Sequence, residues 1–332
     1  MLQLKNQTPF KPAIAVLPNR DAIDTLYVLV RATFDLAANP RPRDTQPGPV
    51  LADEYFEEPA TSSLKYASEL HIEKPATDVA VIGHAWARGE RQVAELPVSL
   101  EVAGRRKVAQ VYGERVWVDA RRMTSPIPFL KMPLRWERAF GGSHRFGPGE
   151  TDLLAEERNP IGRGFRGKRP QSDAARAPLP NFEDPRAPLA AFGEARDPVG
   201  FGFVAPAWLP RRAFAGTYDA VWKRKRAPYL PVDFDPRFLS AVPSDQVFAG
   251  YLKGGEPIRL LGMHREGPLD LRLPVCPLRI DVKVAGAHQT PPVRLETVLI
   301  EPDEDRLSLT FRASLPCNRQ VLKIEEIVVE QA

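Results

Sequence analysis

Cysteine is almost missing from this chain: two in 332 residues, Cys276 and Cys317, each beside a proline. Two cysteines 41 positions apart supply neither a disulfide framework nor a metal knuckle, so both are expected as ordinary reduced thiols. Histidine is scarce too. His71, His84, His144, His264 and His288 fall into no His-x-His, His-x3-His or His-x-x-Glu-His pattern, so no local zinc site and no metal are expected. His84 lies in an apolar run and reads as a packed core histidine. No stretch approaches 18 apolar residues, which excludes a membrane-spanning helix. The N-terminus has no long apolar run after a basic start, so no secretory signal is expected and a cytoplasmic protein is.

The usual catalytic signatures are absent as well. There is no Gly-x-Ser-x-Gly elbow; Ser143, in Gly141-Gly142-Ser143-His144, reads as part of a turn after Trp136 to Phe140. No Walker-type loop occurs. Gly162-x-Gly164-x-x-Gly167 matches a dinucleotide fingerprint in letters, but Asn159-Pro160 precedes it and Lys168-Arg169-Pro170 bars the helix that should follow. No cofactor is therefore expected. The carboxylate pairs Glu57/Glu58, Glu156/Glu157, Asp233/Asp235 and Asp303/Glu304/Asp305 read as surface or capping groups.

What the chain has in excess is proline, 35 residues, about twice the usual share of roughly 5%. Proline blocks helix interiors and central strands, which excludes a helical bundle. With 43% apolar residues and a net charge of only +4, the chain can bury a core and is no disordered polyelectrolyte. Both ends read as β-rich. Asp24–Leu36, Thr77–Ala87 and a hairpin over Leu96–Val118 connected by Ala103-Gly104-Arg105-Arg106 lie in residues 1–120. Arg41 to Pro49 is a loop. In residues 246–332, strands are expected over Pro257–Met263, Leu269–Leu273, Leu278–Val284, Val293–Ile300, Arg306–Ala313 and Val321–Glu330, with turns at His264–Pro268 and Glu301–Asp305. The expectation is a mainly β protein, with antiparallel sandwich or barrel-like sheets at both ends and a few short helices. Whether the ends form one composite domain or two is open.

Residues 121–245 are different. The stretch 121–240 holds 16 of the 35 prolines and also 16 of the 28 aromatic residues. Disordered segments are poor in aromatics, so this one should be folded, in irregular loops pinned by buried rings. Thr217 is placed to cap a helix over Tyr218–Arg226, and Asp235-Pro236 to start another over Arg237–Ala241. Charge is also uneven. Residues 158–176 and 211–226 each carry six Lys/Arg and one Asp, which suggests a local basic patch. Within the second, Trp222, Lys223, Arg224, Lys225, Arg226 and Tyr229 combine cations with aromatics, the composition of a protein-partner site. A solvated helix end is the bland alternative.

The ordered motifs of the middle carry a resemblance. They are Arg135-Trp-Glu-Arg-Ala-Phe-Gly-Gly142, Asn159-Pro-Ile-Gly-Arg-Gly-Phe165, Leu179-Pro-Asn-Phe-Glu-Asp-Pro185 and the Pro-Val-Gly-Phe-Gly-Phe run from Pro198. Further on come Gly216-Thr-Tyr-Asp-Ala-Val-Trp222, Ala227-Pro-Tyr-Leu-Pro-Val-Asp-Phe-Asp-Pro-Arg-Phe238 and Gly254-Gly-Glu-Pro-Ile-Arg-Leu260. Together they resemble a bacterial family first catalogued as a domain of unknown function, encoded beside PAAR-repeat proteins and polymorphic toxins of type VI secretion. The resemblance implies a non-catalytic adaptor or chaperone. Its partners would be an effector toxin or its PAAR-bearing part, and through them the valine-glycine-repeat spike. It implies no catalytic, cofactor-binding or metal residues. Two alternatives stand beside it. One is a β-sandwich hydrolase or sugar-active enzyme built on Trp136, Glu137, Arg138, His144 and Asp184. The other is a nucleic-acid binder using the two basic segments.

Overall fold

The computed structural model describes residues 3–332. Its centre is a six-stranded sheet in the order Val247–Ala249, Ala76–Val81, Val293–Glu301, Arg306–Pro316, Asp24–Asp35, Lys11–Pro18. All neighbours are antiparallel except Ala76–Val81 and Val293–Glu301, which run parallel. A five-stranded sheet orders Phe182–Glu183, Arg105–Tyr112, Glu95–Val102, Pro257–Leu261 and Leu269–Arg272. A four-stranded sheet orders Gln3–Asn6, Ile324–Gln331, Leu278–Val284 and Ala287–Gln289. Each of these sheets contains strands from both β-rich ends. The two β-rich ends thus share their sheets, in a mainly β fold as expected, and no barrel closes among the described residues.

The interleaving follows from burial. Asp24–Asp35 and Arg306–Pro316 are buried on both faces nearly throughout, so each needs partners on both edges and cover on both sides. One face is apolar: Leu307, Leu309, Phe311 and Ala313 alternate into a core shared with Val28, Val30, Val298 and Ile300. The opposite face is polar yet equally buried. Arg312 donates from Nε to Glu296 at 2.6 Å and from its other nitrogens to the carbonyls of His71 and Glu69 at 2.7 and 2.6 Å. Nearby, Lys74 Nζ bonds Asp78 at 2.8 Å and Thr297 at 3.0 Å, and Gln46 bonds both backbone groups of Thr33. The irregular segment from Gln46 to Lys74 therefore seals this face with ion pairs and hydrogen bonds. Half-buried His71 is held well below the ordinary imidazole range by desolvation and by Arg312.

Turn chemistry fixes the hairpins. Val102 pairs with Arg105 across Ala103-Gly104, and both turn residues have positive φ, +50° and +80°. Ala285-Gly286 repeats the arrangement at +51° and +81°. These two-residue turns match the twist of the strands they join. The expected Thr77–Ala87 strand divides: Ala76–Val81 stays in the central sheet, while His84–Trp86 leaves it to pair with Lys131–Pro133. The last strand starts late, at Ile324, after a 3-10 turn over Val321–Lys323.

The middle is ordered and irregular, as expected. Of its 16 aromatic rings only Phe146, Tyr218 and Tyr229 are exposed, and nine are fully buried. The motif residues knit it. Trp136 is buried, donates from its indole to the Phe203 carbonyl at 2.7 Å and meets Trp208 edge-on at 6.1 Å. A side chain at Gly200 would lie 2.6 Å from that ring, which accounts for the glycine. Asn159, fully buried, donates to the carbonyls of Trp136 and Phe140 at 2.8 and 2.9 Å. Gly141 takes φ +149° with its Cα against Asn159, leaving no room for a Cβ. Gly141-Gly142-Ser143-His144 is therefore no simple turn. Phe140–Gly141 pairs in parallel with Arg163–Gly164, and Ser143–Arg145 opens a separate hairpin. Asn181 accepts from Arg138 and Arg163, and Glu183 pairs with Arg115. Phe165 is only half-buried.

Candidate partner-binding site

The segment from Phe214 to Phe238 folds back on itself, and short-range polar bonds close its base. Asp233 accepts from the Thr217 backbone at 3.0 Å and from its hydroxyl at 2.7 Å. Asp235 N–H donates to the Phe214 carbonyl at 3.1 Å. Gly216, at φ +83°, lets the two limbs meet, since a Cβ there would lie 2.9 Å from Pro231. The Thr217 bonds hold the Asp233 carboxyl below the usual aspartate range. The Asp235-Pro236 start is observed, with Asp235 accepting from Arg237 N–H at 2.9 Å and a 3-10 turn over Pro236–Leu239. Thr217, expected as a helix cap, is instead part of the clasp. Asp219 caps the single α-helix among the described residues, Ala220–Lys225, by accepting from Trp222 N–H at 2.7 Å.

On this closed loop the six expected residues take different roles. Trp222 is half-buried: its indole donates to the Tyr229 carbonyl at 2.9 Å, and its ring meets Tyr218 edge-on at 4.7 Å. Arg226 is an anchor, donating to the Leu230 carbonyl at 2.8 Å and the Arg20 carbonyl at 2.7 Å. Lys223, Arg224 and Lys225 are exposed and have no ion pair among the described residues. Tyr229 is exposed. Sequence reading missed the apolar company: Tyr218, Val221 and Val232 are also exposed, Val232 at 79%. A three-cation edge thus lies beside four exposed apolar or aromatic side chains on a loop held by its own bonds. Such a surface can attract an acidic partner and bury rings against it, at little cost in ordering.

The basic segments are less basic in space than along the chain. Arg158 pairs with Glu156 and Asp197, Arg163 with Glu114, and Arg212 with Glu157. Arg169 donates to backbone carbonyls. Arg211 is bonded to the Phe238 and Val204 carbonyls, and burial pulls its pKa down. With Arg226, six of the twelve cations are engaged internally; Arg166, Lys168 and Arg176 remain in the first segment, and Lys223, Arg224 and Lys225 remain consecutive on the helix of the second.

The five residues weighed for an enzyme do not converge on one cavity. Trp136 is a core ring. Glu137 accepts from the Ser63 backbone and hydroxyl, both at 2.8 Å. Arg138 pairs with Glu114. His144 accepts from Lys168 N–H at 3.1 Å, and Asp184 forms a two-point pair with Arg186. His84 is not a core histidine: half-buried, it bonds Asp303 at 2.6 Å. The two cysteines are buried, and burial pushes the Cys276 thiol up to about 12.

Residues 21–312 match the bacterial family described as "Uncharacterized protein conserved in bacteria (DUF2169)". The match spans most of the chain, and the protein belongs to that family. No curated protein and no solved structure matches it.

Proposed function

We propose that this member of the DUF2169 family is a cytoplasmic, non-catalytic adaptor of type VI secretion. It would bind an effector toxin or its PAAR-bearing part through the loop from Phe214 to Phe238 and help mount it on the spike. The observation that carries the reading is the pairing of Lys223, Arg224 and Lys225, exposed and without an ion pair among the described residues, with exposed Tyr218, Val221, Tyr229 and Val232 on one self-closed loop. The motif resemblance supplies the class of partner. Trp136, Glu137, Arg138, His144 and Asp184 each take a separate structural role, which favours the adaptor reading over an enzyme built on these five. The test is co-expression with the adjacent effector gene. The proposal expects a stoichiometric complex on size exclusion, lost when Lys223, Arg224 and Lys225 are changed to Glu. Separate elution of the two wild-type proteins would contradict it.

A further inference from the structure

A cavity of 190 Å³ opens between the Phe56–Tyr66 segment, the Val81–His84 corner and Leu134–Trp136, with Glu301, Asp303 and Glu304 on its far wall. Its walls are firmly set. Glu137 holds Ser63 by two bonds, Leu134 N–H donates to the Gly83 carbonyl at 3.0 Å, and the buried Trp136 ring lies against its base. Leu64 and Leu134 add apolar lining.

Two cations face this space without an anion of their own. The Arg135 guanidinium lies 3.8 Å from the centroid of the Phe56 ring, and Lys65 Nζ lies 6.0 Å from the same centroid and 4.9 Å from that of Tyr66. Both side chains are half-buried, and neither forms an ion pair or a side-chain hydrogen bond among the described residues. The acidic wall does not neutralise them. Both oxygens of Glu301 are taken by Arg306 and Tyr66, and those of Asp303 by His84 and the Trp86 indole. Burial pushes the Asp303 carboxyl up, but the bonds from His84 and Trp86 outweigh it and hold it ionised. Glu304 remains at the rim, exposed. Two like charges sharing one ring, partly out of water and with no carboxylate in direct contact, are mutually unfavourable, and an anion between them relieves both.

The geometry points to a carboxylate-binding cavity: we propose that Lys65 and Arg135 together hold one carboxylate whose small apolar body rests toward Leu64, Leu134 and Trp136. Arg135 can offer two parallel donors to a carboxylate and Lys65 a point charge. The acidic far wall disfavours a phosphate dianion. The volume admits about one amino-acid residue, so the source is either the C-terminal residue of a partner chain or a free small acid. The site lies outside the Lys223–Tyr229 surface and does not depend on it.

The test uses the full chain and four probes: N-acetyl-leucine, N-acetyl-leucine amide, an N-acetylated tetrapeptide ending in leucine, and inorganic phosphate. Binding is read by calorimetric titration and by the rise in melting temperature of the wild-type protein, which needs no variant. N-acetyl-leucine should bind about tenfold or more tighter than its amide and than phosphate, since the amide lacks the charge. Arg135→Gln and Lys65→Met, which keep the stems over Phe56, should each remove about tenfold or more, and Arg135→Lys should lose less than Arg135→Gln. A tetrapeptide tighter than N-acetyl-leucine identifies a chain terminus as the source, and equal affinity identifies a small acid. No stabilisation of the wild-type protein by either carboxylate would overturn the proposal, as would equal binding of acid and amide or stronger binding of phosphate.

Discussion

At the scale of single residues, the family motifs turn out to be mainly interlocking parts. Trp136 joins the Phe203 backbone, the Trp208 ring and the close approach of Gly200. Trp136→Ala should therefore destabilise by roughly 3–5 kcal/mol in a denaturant melt, as large buried aromatics do. A melt no different from wild type would mean the ring is not structural. Asp233 gives a pH-dependent counterpart. Its folded pKa is held below the ordinary aspartate value of about 3.9, so its clasp on Thr217 contributes fully above that pH. That contribution fades as pH falls through the folded value. Amides over residues 216–232 should loosen as pH falls through the folded value more than the rest of the fold predicts, and Asp233→Asn should show the same loosening already at pH 6. Equal protection in both proteins at pH 6 would dismiss the clasp. The residue that sequence could name was one whose chemistry is local, Asp235 capping its turn. Asn159 and Glu137 act on distant backbone, at Phe140 and Ser63, and no spacing along the chain announces that.

At the scale of elements, alternation made the strands legible, and the hairpin at Ala103-Gly104 was readable because a short glycine turn between β-rich runs is a local signal, although the turn is two residues rather than the expected four and its second strand ends at Tyr112, not Val118. Its repeat at Ala285-Gly286 escaped, because the returning strand Ala287–Gln289 is three residues long and exposed. Alanine at φ +50° is the weak point of both turns. Ala103→Asn and Ala285→Asn should each stabilise by roughly 0.4–1 kcal/mol, read as a higher urea midpoint at unchanged slope. A lower midpoint would show that the alanines make contacts the turn geometry does not reveal. The central sheet hid more. Glu296 and Arg312 sit in strands whose letters suggest an outward polar face, yet both are 1% exposed because the Gln46–Lys74 segment lies over them. Charged residues are so seldom fully buried that pattern reading assigns them to solvent. Arg312→Ala should cost about 3–5 kcal/mol, since it leaves Glu296 unpaired in the interior. A loss below about 1 kcal/mol would place the pair in water.

At the scale of the whole molecule, the chain is a set of shared sheets wrapped by a long ordered middle, and one loop of that middle offers charge and rings that the fold itself does not use. The mainly β class was legible from proline and alternation. The merging of the two ends into common sheets was not, because strand partners some 280 residues apart, such as Asp24–Asp35 and Arg306–Pro316, leave no local trace. The Trp222–Tyr229 composition was visible in sequence, but its division into anchors, Trp222 and Arg226, and an exposed edge, Lys223 to Lys225, depends on carbonyls that only folding brings near. The most direct test of the adaptor account is a kinetic titration of the adjacent effector's PAAR-bearing fragment against wild type and the Lys223→Glu, Arg224→Glu, Lys225→Glu triple variant, at low and high salt, with a melt of each protein. The account predicts unchanged melting, an association rate at least about tenfold slower for the triple variant at low salt, and a difference that shrinks as salt rises. Equal association rates for the two proteins, at full fold stability, would contradict it.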